Sequence, residues 1–405
     1  MTRASLAPRL LPVLLPLGLL AVPPVVEVVR SWSEVQRPPR PAITFDVEAD
    51  GAPAVPDVEW PIAFEPGHEA SLSGGAAVCD DQAFLLDHRR KQVHRVSLSA
   101  GAAIDRIGDP SGGTFAYPYA IAAACRANKL FVADYAGLFV INLATGAIET
   151  RFPKPPTFAT SLGRLAVDAS ARRVFVPGVW ARRPNDWLFN GLHRMFVDDW
   201  LGREIDVVTG ETSPFVPPIE RGCFTASPLC LSVSLDRVAA GGEVAWIVAQ
   251  KISTRVGLFD AHRRAVRLVD VRSPRFREDG QSVPRQRTLV EKIAWHEHNS
   301  VIEAVVAFRD GFAVVHSVHR TKGWQPGGQV DFEVFVNIFG YDGRPLVSDV
   351  RLPDLPVAHD ADSLYTVSYG PAGRQVTSHR RLVVARFPIW SLMVGGAPVA
   401  RPVPR

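Results

Sequence analysis

Cysteine is scarce here, with four in 405 residues, and no two of them form a CxxC pair. That argues against metal ligation by cysteine. No Cys follows the apolar N-terminal run, so a lipoprotein anchor is excluded. Long runs of one charge are missing too. The 45 Lys and Arg against 41 Asp and Glu leave a formal charge of +4. The basic residues are scattered in pairs such as Arg89-Arg90, Arg172-Arg173, Arg182-Arg183 and Arg380-Arg381. No basic stretch is interleaved with aromatics, so nucleic acid is not an expected partner. No GxSxG, HExxH, P-loop or Rossmann fingerprint occurs, which removes the best-known hydrolase and nucleotide sites.

What is present is apolar and rich in turn formers. Hydrophobic residues make up 47% of the chain, with 34 prolines and 31 glycines. This suits a β protein with many turns. At the N-terminus, Arg3 and Arg9 precede the apolar run LLPVLLPLGLLAVPPVV (Leu10 to Val26), which Glu27 ends. A positive start before an apolar core is the pattern of an export signal. Residues 1–27 therefore read as a signal peptide or signal anchor, although no clear small-x-small cleavage site follows. Prolines at 12, 16, 23 and 24 argue against a buried helix. The expected location is periplasmic or extracellular, with membrane attachment through this segment as the variant. Residues 28–61, with RPPRP and GAPAVP, read as an extended linker. Within it, Ala42 to Val47 alternates like a strand.

From residue 62 to 392 the chain reads as a repeat, and 393–405 as a tail. Residues 115–152 are the most legible unit. A small apolar strand (Ala120 to Ala124) is followed by the turn Arg126 to Lys129, then by Leu130 to Ala133 stopping at Asp134. Leu138 to Leu143 runs into Ala144-Thr145-Gly146, and Ala147 to Phe152 is the fourth strand. Such a meander cannot bury both faces alone and needs like neighbours. Residues 74–108 repeat it: Asp87 aligns with Asp134, and Cys79 with Cys125. Further units start near Leu165, Leu229, Glu291 and Val357. The third is interrupted by residues 181–203, whose Trp187, Leu188, Leu192, Met195, Phe196 and Trp200 recur at near-helical spacing. They predict a short helical insertion that packs on its own sheet or serves as a lid or partner surface. The last unit is one strand short. Ala42 to Val47, or the segment near Phe64, is available to complete it.

About six units of roughly 40–60 residues predict an all-β, six-bladed β-propeller with four-stranded antiparallel blades. The sequence resembles six-bladed propellers of the NHL-repeat type. The residues carrying the resemblance are Pro118, Ile121-Ala122, Leu130-Phe131-Val132-Ala133-Asp134, Val140-Ile141 and Thr145-Gly146, with echoes at Leu165 to Asp168 and Leu364 to Val367. The resemblance implies a fold and hardly constrains function.

In such a meander the start of strand one and the end of strand two share a rim, which in a propeller faces the channel mouth. The aligned units place Asp87, Asp134, Gly178, Gln250, His316 and Ser368 at strand-two ends. Tyr117, Tyr119, Arg164, Glu291, Lys292 and His359 fall at strand-one starts. The ligand-binding candidates are Tyr117, Asp134, Arg164, Gln250, Glu291, His316 and His359. An Asp closing strand two also has a structural role, bonding a neighbouring turn. His296 and His298 would share a face if extended, and His359, Asp360 and Asp362 form an acidic turn. Neither is a specific metal signal. Cys223 and Cys230 share one loop and are candidates for a disulfide; Cys79 and Cys125 hold equivalent places in adjacent units. The expected function is an exported binding or scaffolding propeller with a small-molecule, glycan or protein partner at the channel mouth and no cofactor. The alternative is a propeller hydrolase of the lactonase or esterase type. It would hold Ca²⁺ or another divalent metal, with Asp134, Glu291 and Asn299 as the nearest ligands.

Overall fold

A computed structural model describes residues 45–49, 51–64, 72–109, 113–156, 158–160, 164–168, 170–180, 201–216, 219, 233–238, 242–278, 295–319, 332–369 and 381–394. Residues 1–27, residues 181–200 of the expected insertion over 181–203, Cys223, Cys230, Glu291, Lys292 and residues 395–405 lie outside them.

The architecture is all-β and propeller-like. Four blades stand as separate sheets. The first is β7 (Pro118–Ala124), β8 (Lys129–Asp134), β9 (Gly137–Asn142) and β10 (Ile148–Pro153). The next holds β12 (Ala166–Val167), β13 (Arg173–Trp180), β14 (Leu201–Asp206) and β15 (Thr212–Val216), with β11 (Phe158–Thr160) also on β13. The third comprises β16 (Val233–Arg237), β17 (Trp246–Gln250), β18 (Arg255–Phe259) and β19 (Ala265–Asp270). The last holds β20 (Val301–Phe308), β21 (Gly311–His319), β22 (Phe332–Gly340) and β23 (Pro345–Leu352), and β1 (Val47–Glu48) adds to β23 in parallel.

The fifth sheet is eight strands wide, so the count of separate blades is four where the repeats predict six. It contains β3 (Leu72–Cys79), β4 (Gln82–Asp87), β5 (Gln92–Ser97) and β6 (Ala102–Ile107). It also contains β24 (Pro356–His359), β25 (Ser363–Tyr369), β26 (Arg381–Pro388) and β2 (Val58–Ala63). The two sets meet where β2 runs parallel to β6 through Ala63 and Ala102. The Ala63 N–H donates to the Gly101 carbonyl at 2.9 Å. Gly101 has φ +62°, and a Cβ there would lie 2.7 Å from the Pro61 carbonyl oxygen, so only glycine fits this approach.

β2 supplies the strand that the last repeat lacks. It pairs antiparallel with β26 from Val58↔Arg386 to Ala63↔Arg381. The Asp57 carboxylate accepts two hydrogen bonds from Arg386, at 2.9 and 2.7 Å. Of Ala42 to Val47, residues 42–44 lie outside the described residues and Val47 enters β1, at the outer edge of another sheet. β1 and the first four residues of β2, Val58 to Pro61, thus fall within the stretch 28–61 expected to be linker.

Period-2 alternation explains the packing. Along β4, Ala83 and Leu85 join a cluster with Ile62, Leu382 and Val384, while Phe84 and Leu86 point to the other face, against Leu130 and Val132. Along β17, Trp246 and Val248 meet Phe175 and Phe215, while Ile247 and Ala249 meet Val305 and Phe312. Each sheet shares a core with the one before and the one after it. The last set, through Leu364, Ala385 and Phe387, packs on Val336 and Val350 of β22 and β23. Burial on both faces is why these strands read as short continuous apolar runs. At roughly 1.5–3 kcal/mol per buried large side chain, the faces are the main source of cohesion.

Local details follow the same logic. The expected turn at Arg126 to Lys129 is a 3-10 turn over Cys125–Ala127, closed by Asn128 in the left-handed conformation. Leu201 to Arg203, the end of the expected insertion, lie in β14. A short helix, α1 (Ile389–Met393), follows β26 and buries Ile389 and Leu392. Cys79 and Cys125 are joined in a disulfide that ties β3 to the end of β7. No helix among the described residues is long and apolar enough to cross a membrane.

Candidate ligand site in the central channel

The innermost strands of neighbouring sheets run side by side around the axis. Side chains there crowd one another, and the sequence answers with small residues: Gly75-Ala76-Ala77 on β3, Ala122-Ala123 on β7, Ala166 on β12 and Ala358 on β24. Their smallness leaves a cavity of about 150 Å³ lined by β3, β7, β12, β16 and β24. At about 30 Å³ per water it has room for a handful of waters or one small molecule, and it is smaller than the usual drug-sized pocket.

Three charged or titratable side chains line it: Arg164, Asp236 and His359. Arg164 stands just before β12, and its Nη2 donates to the Pro356 carbonyl. Its Nη1 is buried with no hydrogen-bond partner among the described residues. Burial pulls the Arg164 pKa down to about 10, against the opposing pull of the Asp236 charge, so the guanidinium stays charged at neutral pH. Asp236 is held by backbone donors. Its Oδ1 accepts from the Arg237 N–H at 2.8 Å and its Oδ2 from the Ala307 N–H at 2.7 Å. Ser234 Oγ, two residues earlier on the same face, accepts from the Val305 N–H at 2.9 Å. The inner strands β16 and β20 are thus stitched by side chains in place of a backbone ladder. His359 Nε2 lies 3.4 Å from Asp236 Oδ2. This contact is favourable when Nε2 carries the proton, which leaves Nδ1 as an acceptor in the neutral ring. Nδ1 is likewise buried without a partner among the described residues.

Arg164 and His359 were predicted from sequence and the structure brings them together, but not at one rim. His359 is the last residue of β24, not a strand-one start, so the pair converges inside the channel. Asp236 was missed. Its signal was there: Val233-Ser-Leu-Asp alternates, and a carboxylate at an inward position of a core strand needs a reason.

The other candidates lie elsewhere. Tyr117 is 43% exposed at the rim where β7 starts. Asp134 is buried there, and its carboxylate accepts from the N–H groups of Tyr117 and Ala136, both at 2.7 Å. Asp87, in the aligned position, accepts from the Arg90 N–H at 3.0 Å and lies 3.5 Å from His94. Gln250 ends β17 and is fully buried. Gly178 and Ser368 are strand residues of β13 and β25. Tyr119 is buried at the start of β7.

His316 sits within β21, fully buried, in a network remote in character from a channel mouth. Its Nδ1 is 3.4 Å from Asn337 Nδ2, and Asn337 Oδ1 accepts from the Asp349 N–H at 2.7 Å. Asp349 accepts from Ser273 Oγ at 2.6 Å and from the Arg275 N–H at 3.1 Å. Burial pushes the His316 pKa down to about 3.

The weaker metal signals also resolve. Residues 295–298 are helical, so His296 and His298 do not share a face. His296 instead stacks on His319, ring centroids 4.6 Å apart. Asp360 accepts from the Asp362 N–H at 2.8 Å and the Tyr365 hydroxyl at 2.6 Å. Asn299 Nδ2 donates to the Trp295 carbonyl at 3.0 Å. Among the described residues no group of three or more His, Cys, Asp or Glu is placed to hold a metal ion.

No family model matches the chain, and no curated protein matches its sequence. Solved structures do. A member of the DUF4221 family from Bacteroides vulgatus aligns with a TM-score of 0.57 at 12% identity, covering 82% of this chain and 97% of that one. A candidate exported protein from Bacteroides fragilis aligns at 0.50 and 8% identity, covering 85% and 99%. The likeness is one of fold alone. A calcium-binding protein, regucalcin, from Agrobacterium tumefaciens aligns at 0.41 and 12% identity, covering 84% and 96%, too loosely to carry an argument.

Proposed function

We propose that this chain is an exported binding propeller that holds a small hydroxylated carboxylate in its central channel. The observation that carries the reading is the pair of orphaned buried nitrogens on the cavity wall, Arg164 Nη1 and His359 Nδ1. A buried polar atom without a partner costs about 1–3 kcal/mol, so a ligand that satisfies both gains that much per group. Arg164 offers a charged donor, which suits a carboxylate. His359 Nδ1 offers an acceptor, which suits a neighbouring hydroxyl. The cavity's size limits the ligand to a few heavy atoms beyond that headgroup.

On this reading the eight-stranded sheet counts as two blades joined at Ala63–Ala102, giving six blades in the manner of NHL-type propellers, with β2 closing the ring. Export is supported by the apolar N-terminal run and by the Cys79–Cys125 disulfide, a bond that persists in oxidising compartments. The similar exported candidate from Bacteroides fragilis agrees with it. The hydrolase alternative gains less support, because Asp134, its central ligand, already accepts two backbone hydrogen bonds.

The test is titration calorimetry of the purified full chain with glycerate, lactate and acetate. Hydroxylated acids should bind more tightly than acetate. Arg164→Met should weaken binding about tenfold or more, since a charged hydrogen bond contributes roughly 1.5–3 kcal/mol. No heat with any of the acids, or unchanged affinity in Arg164→Met, would overturn the reading.

A further inference from the structure

A second concentration of positive charge lies between the sheet of β7–β10 and the sheet of β11–β15, among residues that do not line the channel cavity. Arg203, on β14, is 1% exposed. Its guanidinium stacks 5.0 Å from the centre of the Phe158 ring, and Nη1 donates to the Pro153 carbonyl at a long 3.4 Å. Its Nε is buried with no acceptor among the described residues. Lys154 stands beside Pro153, half-buried, and its Nζ donates to the Phe158 carbonyl at 3.1 Å. Among the described residues no carboxylate pairs with either cation. The contrast with the next residue is sharp: Glu204, on the opposite face of β14, is shared by Arg173 at 3.1 Å and by Arg263. Among the described residues, β14 therefore has its charge compensated on one face and not on the other. Burial pulls the Arg203 pKa down to about 10, so it remains charged at neutral pH, and Lys154 is lowered first by burial and then by Arg203.

Two cations held together without an anion are costly to bury. Above them is an aromatic shelf. The Tyr119 ring is 5.6 Å from Tyr135, and Tyr135 is 5.1 Å from Tyr117, edge to face. Tyr117 and Tyr135 are 43% and 47% exposed. The Lys154 N–H donates to the Ala136 carbonyl at 3.1 Å, which places the lysine next to Tyr135 in the fold.

We propose that Arg203 and Lys154 form an oxyanion site beneath this shelf, separate from the channel, that takes a carboxylate or sulfate group. The oxyanion answers both cations and the orphaned Nε. It has two sources, a free inorganic anion or the acid group of a sugar whose ring rests on the exposed tyrosines.

The test follows the thermal midpoint of the full chain at constant ionic strength, because a ligand that binds only the folded state raises it by mass action. Replacing chloride by sulfate, or adding glucuronate, should raise the midpoint saturably by several degrees, and glucose should not. Lys154→Met, on a half-buried side chain, should fold and lose most of the shift. Arg203→Met should lose it altogether, while Arg164→Met should keep it and so separate this site from the channel. Saturation by glucuronate at concentrations about tenfold below sulfate assigns the sugar; equal concentrations assign the free anion. The proposal falls if sulfate and glucuronate act no better than chloride, or if Lys154→Met shifts as the parent does.

Discussion

Acid should destabilise this protein through His316. The imidazole is fully buried, and burial lowers its pKa from 6.5 to about 3. The Asp349 carboxylate, 3.9 Å from Nε2, is beyond hydrogen-bond reach and is already engaged by Ser273 and Arg275. Desolvation therefore outweighs its attraction, and the ring stays neutral. Because the folded-state pKa lies below the unfolded one, the unfolded chain binds more protons at pH values under 6.5. The stabilisation is complete above that pH and is lost progressively as the pH falls toward 3. At pH 5, about 1.5 units below the unfolded pKa, the loss is about 2 kcal/mol. The assay is urea unfolding of the parent and of His316→Gln from pH 7.5 to 5. Other groups cancel in the difference between the two, so the parent should lose about 2 kcal/mol more than the variant. Parallel pH profiles would refute the reasoning. So would an NMR titration of the His316 ring at or above pH 6.5, which would show that Asp349 charges it after all.

Two further outcomes test the architecture. Ile62 on β2 is fully buried against Leu85, Val96 and Leu382; Ile62→Ala should cost about 2–5 kcal/mol in urea unfolding, whereas Val55→Ala at a 49%-exposed position should stay within about 0.5 kcal/mol. An equal, small effect of both would show that β2 does not close the arrangement. Cys79 and Cys125 are 46 residues apart in sequence, and a cross-link over such a loop restricts the unfolded chain by about 4 kcal/mol. Reduction of the purified protein should lower its thermal midpoint accordingly; cleavage of the bond with no change in midpoint would show that the link carries no stability.

The strands were legible because each turn is written in short polar or glycine-containing segments, and because middle strands such as β4, β8 and β17 are apolar on both faces, although the outermost β6, β10 and β19 are largely exposed. The expected span Leu130 to Ala133 became Lys129–Asp134, and Leu138 to Leu143 became Gly137–Asn142. The alignment that set Cys79 against Cys125 also placed them at equivalent ends of adjacent inner strands, where they bond. The candidate site was legible only in part. Arg164 and His359 were named, but the ring around them was drawn at one rim, because register could not be followed into the short final unit. His359 ends its strand, whereas Tyr117 lies just ahead of one. His316 and Asp134 looked alike as polar residues closing a strand. One is buried within β21 in an inter-sheet network, and the other binds the turn beside it.

Local pattern fixed the kind of element, since period-2 burial and turn chemistry act over a few residues. It also fixed the need for neighbours, since a sheet apolar on both faces has no other way to leave water. Which distant segments meet was decided only in three dimensions. Val58–Ala63 pairs with a strand more than three hundred positions later. Asp236 reaches a histidine on another sheet. That no carboxylate among the described residues pairs with Arg203 is visible only in three dimensions. Those facts depend on long-range closure and on charge in a low-dielectric interior, and neither is written in any window of the chain.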